Sequence, residues 1–157
     1  SAEPLPKLSN DPAFYKCKWC PASQVCHAKQ LPQVSCRTCL HATPERDGDG
    51  RWSCAKRSIP SLTLAAQQAA CCDRLYIPAR VTWGALDDAS ESEGWVQYAC
   101  ADGFRFRSGP RLPGSFSSTE LAALSLAALK SEELQAIRDS GLPDAQFVAG
   151  SEWTEAA

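Results

Sequence analysis

Eight of the nine cysteines in this chain lie between Cys17 and Cys72, in the order Cys17-x2-Cys20-x5-Cys26, Cys36-x2-Cys39, Cys54, and then the adjacent pair Cys71 and Cys72. A C-x2-C turn sets two sulfurs on one side of a tight loop, and more distant cysteines can close a tetrahedral cage around a metal ion. The spacing predicts a first half organised by metal more than by a hydrophobic core. A disulfide framework is the competing reading. It fits less well, because nine is odd and C-x2-C pairs are short for bridging to each other. No apolar run approaches the roughly 20 residues that span a bilayer. The reading is a reducing, cytoplasmic setting with no membrane partner.

Of the two cysteine clusters the second is the more complete. Cys36, Cys39, Cys54 and one of Cys71 or Cys72 supply four thiolates at spacings that suit structural zinc. Five cysteines within 37 residues would be an odd way to build an apolar core. Closed coordination of this kind leaves no open position for catalysis at the metal. The first cluster, Cys17, Cys20 and Cys26, lacks a fourth ligand. His27 is the nearest candidate and gives a Cys3His zinc site, so that two Zn2+ sites are expected in all. An iron–sulfur cluster, with a fourth cysteine from elsewhere, is the alternative at this first site. His41 suits a hydrogen bond beside the metal better than ligation.

Four segments follow from composition. Residues 1–13, with Pro4, Pro6 and Pro12, form an extended lead-in. Residues 14–83 form a cysteine-rich, two-site zinc domain. It has one helical turn across Ala22 to Cys26 and a zinc-ribbon-like hairpin around the polar turn Asp47-Gly48-Asp49-Gly50. A helix over SLTLAAQQAACC, capped by Ser61 or Thr63, would deliver Cys71 or Cys72. LYIPARVTW then reads as a short strand interrupted at Pro78, and DDASESEG as an acidic loop. Residues 84–142 form a β-hairpin followed by a helical pair, and residues 143–157 a tail. Gly94 to Cys100 and Phe104 to Arg107 alternate around Asp102-Gly103, with both rows of the first arm largely apolar, which leaves the core-facing row open. Ser117-Ser118-Thr119-Glu120 opens the helical stretch LAALSLAALK. Ser131 caps SEELQAIRDS, whose stop is Gly141. Leu121, Leu124, Leu126, Leu129, Leu134 and Ile137 then form an apolar face. The fold class is α+β.

The charge is polarised. Residues 1–83 carry 11 Lys and Arg against 6 Asp and Glu, whereas residues 84–157 carry 5 against 12. A basic, metal-rich half can meet phosphate, and an acidic half can cover a basic protein surface.

The run Cys17-Lys18-Trp19-Cys20 with Cys26-His27, then Cys36-Arg37-Thr38-Cys39-Leu40-His41-Ala42-Thr43-Pro44, Trp52-Ser53-Cys54 and Leu75-Tyr76-Ile77-Pro78, resembles the C-terminal cysteine-rich region of phage and prophage exonuclease-like proteins. Those proteins belong to the PD-(D/E)xK nuclease superfamily. The resemblance covers roughly residues 14–80, and its register favours Cys71, four residues before Leu75, over Cys72. The C-x2-C-x5-C triplet is also similar to that of RecB-like nucleases that hold a four-iron cluster. What the resemblance implies is a zinc-binding region serving DNA processing or recombination. The superfamily's catalytic set, an acidic residue followed by a second one two before a lysine, is missing from the sequence, because Pro143-Asp144 has no Asp/Glu-x-Lys after it.

Two functions are therefore expected, and catalysis is not one of them. No Ser/His/Asp set or phosphate-binding glycine loop can be assembled, and the paired carboxylates fall in loops or at helix starts. The first function is a non-catalytic zinc module that binds nucleic acid through Lys16, Lys18, Trp19, Lys29, Arg37, Arg51, Trp52, Lys56 and Arg57, where cations interleave with aromatics. The alternative is a phage-encoded inhibitor of a host defence or repair complex, acting as a protein-interaction module through Asp87, Asp88, Glu91, Glu93, Glu132 and Glu133.

Overall fold

The computed structural model describes residues 6–27, 29–47, 49–110 and 113–140. The expected stop at Gly141 and the tail at 143–157 lie outside these, as do residues 1–5 of the lead-in. Residues 6–13 of that lead-in form no helix or strand. The first cysteine loop follows as two single helical turns, α1 (Tyr15–Lys18) and α2 (Ser23–Cys26). The chain between them is held by backbone bonds from Cys20 N to Cys17 O (3.1 Å) and from Ser23 N to Cys20 O (3.0 Å). Turns this short have almost no propagation energy of their own and depend on what anchors them.

The second cysteine unit opens with a 3-10 turn, Cys36–Thr38. Next comes the expected hairpin, β1 (Ala42–Pro44) antiparallel to β2 (Trp52–Cys54), with Ala42 opposite Cys54. Thr63 then caps α3 (Leu64–Gln68), its Oγ1 accepting from Ala66 N at 3.2 Å. The sequence expects this helix to run on to Cys71, but it stops three residues short. Cys36 N–H takes the Ala69 carbonyl at 3.0 Å, and Ala69 turns extended. Cys71 is consequently delivered by a loop. Tyr76 makes one isolated bridge to Cys39, and Pro78 starts a 3-10 turn (Pro78–Arg80) instead of merely interrupting a strand.

The second half is built on a four-stranded sheet in the order β3-β4-β5-β6: β3 (Ala85–Ser90), β4 (Trp95–Ala99), β5 (Arg105–Ser108) and β6 (Ser115–Phe116). The β4–β5 hairpin is as expected, and Gly103 at φ +86° closes its turn. β3 corrects the acidic-loop reading of Asp87 and Asp88. It is an exposed outer strand with a register shift between Leu86 and Asp88. The Asp87 carboxylate holds it across the sheet, accepting from Gln97 (2.8 Å) and from Arg105 (3.0 Å). β6 is a two-residue parallel addition to β5, which no local pattern announces.

Three helices end the described chain: α4 (Ser118–Ala123), α5 (Leu126–Leu129) and α6 (Glu132–Ser140). Ser117 and Glu120 form a complete capping box. The stretch LAALSLAALK is not one helix. Ser125 breaks it, because its Oγ accepts from Ala128 N (3.1 Å) and acts as the N-cap of α5. Ser131 accepts from Leu134 N and starts α6 as predicted.

One core cluster draws on both sides of the boundary expected at residue 83. Leu31, Leu75, Tyr76, Val81 and Trp83 pack with Val96, Tyr98, Cys100, Phe106, Phe116, Leu121 and Leu129. Val96, Tyr98 and Cys100 thus form the inward row of β4. Trp95, on the other row, is covered by the Arg107 guanidinium 4.0 Å from its ring. A second, smaller cluster joins Cys36, Cys54 and Leu62, with Trp52, Ile59 and Ala66 against it. Among the described residues, no helix is long and apolar enough to cross a membrane.

Gly109 lies against Trp95, and an added Cβ would sit 2.7 Å from the Trp95 Cβ. Gly109→Ala is expected to lower unfolding free energy by about 1–3 kcal/mol, the usual cost of overpacking. Gly103→Ala has open space around it and meets only backbone strain, about 1 kcal/mol. Urea unfolding of the two variants checks this order.

Candidate functional site

The second cysteine unit brings its thiols into one neighbourhood by three local devices. The Cys36–Thr38 turn sets Cys36 and Cys39 at its two ends. The β1–β2 pairing returns Cys54 to the same end of the hairpin, where its N–H and C=O both bond Ile59. The extended exit from α3 brings Cys71 in through the bond from Cys36 N to Ala69 O. Cys36, Cys39 and Cys54 are 8%, 4% and 7% exposed, and Cys71 is half-buried.

Burial pushes the Cys36 thiol up to about 11, and the neighbouring sulfurs of Cys39, Cys71 and Cys54 push the same way. Burial also raises Cys71, and Cys39 adds to that rise. Cys36 and Cys71 are therefore thiols whose ionisation is opposed both by burial and by neighbouring sulfur. The His41 backbone N–H already points at the Cys39 sulfur at 3.4 Å, an orientation that steadies a thiolate. His41 itself is held below its usual value by burial and by Lys56. Among the described residues, no three Cys, His, Asp or Glu side chains stand in the arrangement that holds a metal ion. The fold therefore supplies the approach of the four thiols without their closure on one point.

Cys72 is exposed, its sulfur 3.6 Å from Arg57 Nη2. The charges acting on the Cys36 thiol include those of Cys39, Cys71 and Cys54, so of the adjacent pair Cys71 is the one that acts on Cys36.

In the first cluster Cys17 is buried, Cys26 and His27 are half-buried, and Cys20 is exposed. His27 Nε2 is out of reach of solvent and has no hydrogen-bond partner among the described residues. His27 adjoins Cys26 in the chain, and its buried, unpartnered imidazole nitrogen is a polar group in want of a partner.

The expected basic contacts Lys16, Lys18, Lys29, Arg37, Arg51, Lys56 and Arg57 are all exposed. Arg37 is spent on Gln67, donating from Nε (3.4 Å) and Nη2 (3.1 Å), and Arg57 pairs with Asp73 at 3.0 Å. Trp52 is half-buried against Cys36, Cys54 and Leu62, so it covers the thiols and does not present a free face. Trp19 is 80% exposed with Lys18 Nζ 5.8 Å from its ring, and Tyr15 is 63% exposed with Lys16 Nζ 5.7 Å from its ring. Tyr15 escaped the sequence reading, although its four-residue spacing from Trp19 places both on one side of a helical turn.

Comparison with family models, with characterised proteins and with solved structures finds no match to this chain.

For the metal-free chain, a thiol at about 11 is about 0.1% ionised at pH 8. Alkylation at that pH is expected to label exposed Cys20 and Cys72 first and Cys36 last, as read by peptide mass spectrometry. The unfolded state, with the ordinary thiol value of 9.0, releases this proton at lower pH than the folded state. The stabilising contribution is thus complete below about pH 9 and is lost as pH climbs toward 11.

Proposed function

We propose that this chain is a non-catalytic, zinc-held module that binds single-stranded nucleic acid on its cysteine-rich half. Zn2+ would be held by Cys36, Cys39, Cys54 and Cys71 in a zinc-ribbon-like unit, and by Cys17, Cys20, Cys26 and His27 in the first loop. The ion supplies local structure where the apolar core is thin, and performs no reaction. The observation that carries the binding role is the exposed Tyr15/Trp19 pair with a lysine ammonium over each ring. Large aromatic faces in water are costly unless a partner covers them, and bases stack on them without regard to sequence. Lys16 and Lys18 supply the phosphate attraction. The resemblance of the cysteine pattern to phage exonuclease-like proteins supports a place in DNA processing within the bacterial cytoplasm.

A second reading has its own observation. β3 is the outer strand of its sheet, and Ala85 through Ala89 are exposed, with Asp87 and Asp88 among them. That edge, with Glu91 and Glu93 in the following turn, could meet a basic protein surface in a host defence or repair complex.

Fluorescence anisotropy with a short single-stranded oligonucleotide decides between them. Trp19→Ala and Tyr15→Ala are each expected to cost about 1–3 kcal/mol, and Lys16→Glu to flatten the dependence on salt. Affinity that is absent at low salt, or indifferent to both aromatics, contradicts the nucleic-acid reading.

A further inference from the structure

Arg74 is the largest of the fully buried side chains, 2% exposed, and a guanidinium keeps its charge in proteins. Its donors go to neutral acceptors on both sides of the Cys36–Thr38 turn. Nε donates to Ser35 O at 3.0 Å, and Nη2 donates to Thr38 O at 3.1 Å and to Thr38 Oγ1 at 2.6 Å. The guanidinium carbon lies 3.8 Å from the Tyr76 ring centroid, and Nη1 is buried with no hydrogen-bond partner among the described residues. No carboxylate pairs with it among the described residues. Tyr76 offers no counter-charge either, since burial raises its phenol, which donates to Pro32 O at 2.8 Å. A buried, uncompensated cation is strongly destabilising. Besides the phenols of Tyr76 and Tyr98, which burial keeps neutral, the groups beside Arg74 that can become anionic are the thiols of Cys36 and Cys39, whose turn it grips.

We propose that Arg74 is the built-in counter-cation of the four-cysteine centre, fixing the Cys36–Cys39 turn while balancing the negative charge that the centre takes on when it holds zinc. Four thiolates around a divalent cation leave excess negative charge, and low-dielectric surroundings make a nearby fixed cation valuable. Ion and guanidinium then solve each other's problem: the metal ionises the thiols, and the thiolates compensate the buried arginine. This inference rests on the zinc reading above.

The test is zinc retention against a competing chelator in the full chain, read site by site as protection of Cys36 and Cys39, or of Cys17 and Cys20, from alkylation. Arg74→Met is expected to weaken retention at Cys36/Cys39 by at least about tenfold, the scale of partners that support metal ligands. The Cys17/Cys20 site should be untouched. In a Cys71→His background, where imidazole replaces one thiolate and lowers the charge, the same substitution should cost at least about fivefold less. A purely steric clamp would not produce that coupling. Arg74→Lys keeps the charge and is expected within about threefold of the unaltered chain, no more than about half of the tenfold effect on a logarithmic scale. If Arg74→Met yields no folded protein, a loss beyond tenfold in Arg74→Lys overturns the proposal. Equal retention by the unaltered chain and Arg74→Met, or costs that do not change with Cys71→His, overturn it while leaving the zinc reading intact. An unaltered chain that takes no zinc at Cys36 and Cys39 overturns both.

Discussion

A buried arginine, its guanidinium away from any carboxylate among the described residues, joins the two halves of this molecule. On one side Arg74 grips the backbone of the Cys36–Thr38 turn through Ser35 and Thr38. On the other its carbonyl accepts from Ser118 Oγ at 2.7 Å, within the first turn of α4. Its flat face stacks on Tyr76, which belongs to the main core. The cysteine turn, the core and the C-terminal helices are thus tied through one residue. Polar junctions of this kind stabilise only when every group is satisfied, which makes the electrostatic state of the nearby thiols a structural matter.

The distribution of apolar burial explains why such a junction is needed. The main cluster is centred on β4 and β5, where Tyr98 stacks on Phe106 at 5.2 Å and Trp83 meets Phe106 edge-on at 6.1 Å. The cysteine unit contributes a much smaller cluster of Cys36, Cys54 and Leu62. It is held largely by polar ties, among them buried Gln67, whose Nε2 donates to Leu62 O and Gly50 O while its Oε1 accepts from Arg37. Segments with so little apolar burial need another source of cohesion, and metal coordination is one that small units use. In the linking segment, Trp83 Nε1 donates to Lys29 O and Tyr76 Oη to Pro32 O. Both anchor the chain between the two cysteine clusters onto the core.

Much of the second half could be read from local pattern. Alternation from Trp95 to Arg107 around Asp102-Gly103 set the β4–β5 hairpin, and Ser117 with Glu120 and Ser131 with Glu132 marked the starts of α4 and α6. β3 was hidden because Asp87, Asp88 and Ala89 are poor strand formers, and its pairing depends on Gln97 and Arg105, which are distant in sequence. The break at Ser125 was hidden because a serine within leucines and alanines reads as an ordinary helical residue until its side chain is seen to cap. In the site, the cysteine spacing set the expectation of two four-ligand metal centres. Arg74 could not be singled out, since a buried arginine and a surface one are the same letter. It was counted with the basic half but is buried, so the surface charge available to phosphate is smaller than the net charge of that half implies.

The central claim is that metal organises the cysteine-rich half. Its most direct test is metal content by mass spectrometry together with an absorption spectrum, on protein purified without oxygen. Two zinc ions per chain and no visible absorbance are the result this account predicts. Protein that is folded and carries no metal would contradict it, and iron with visible absorbance would replace zinc by an iron–sulfur cluster at Cys17, Cys20 and Cys26.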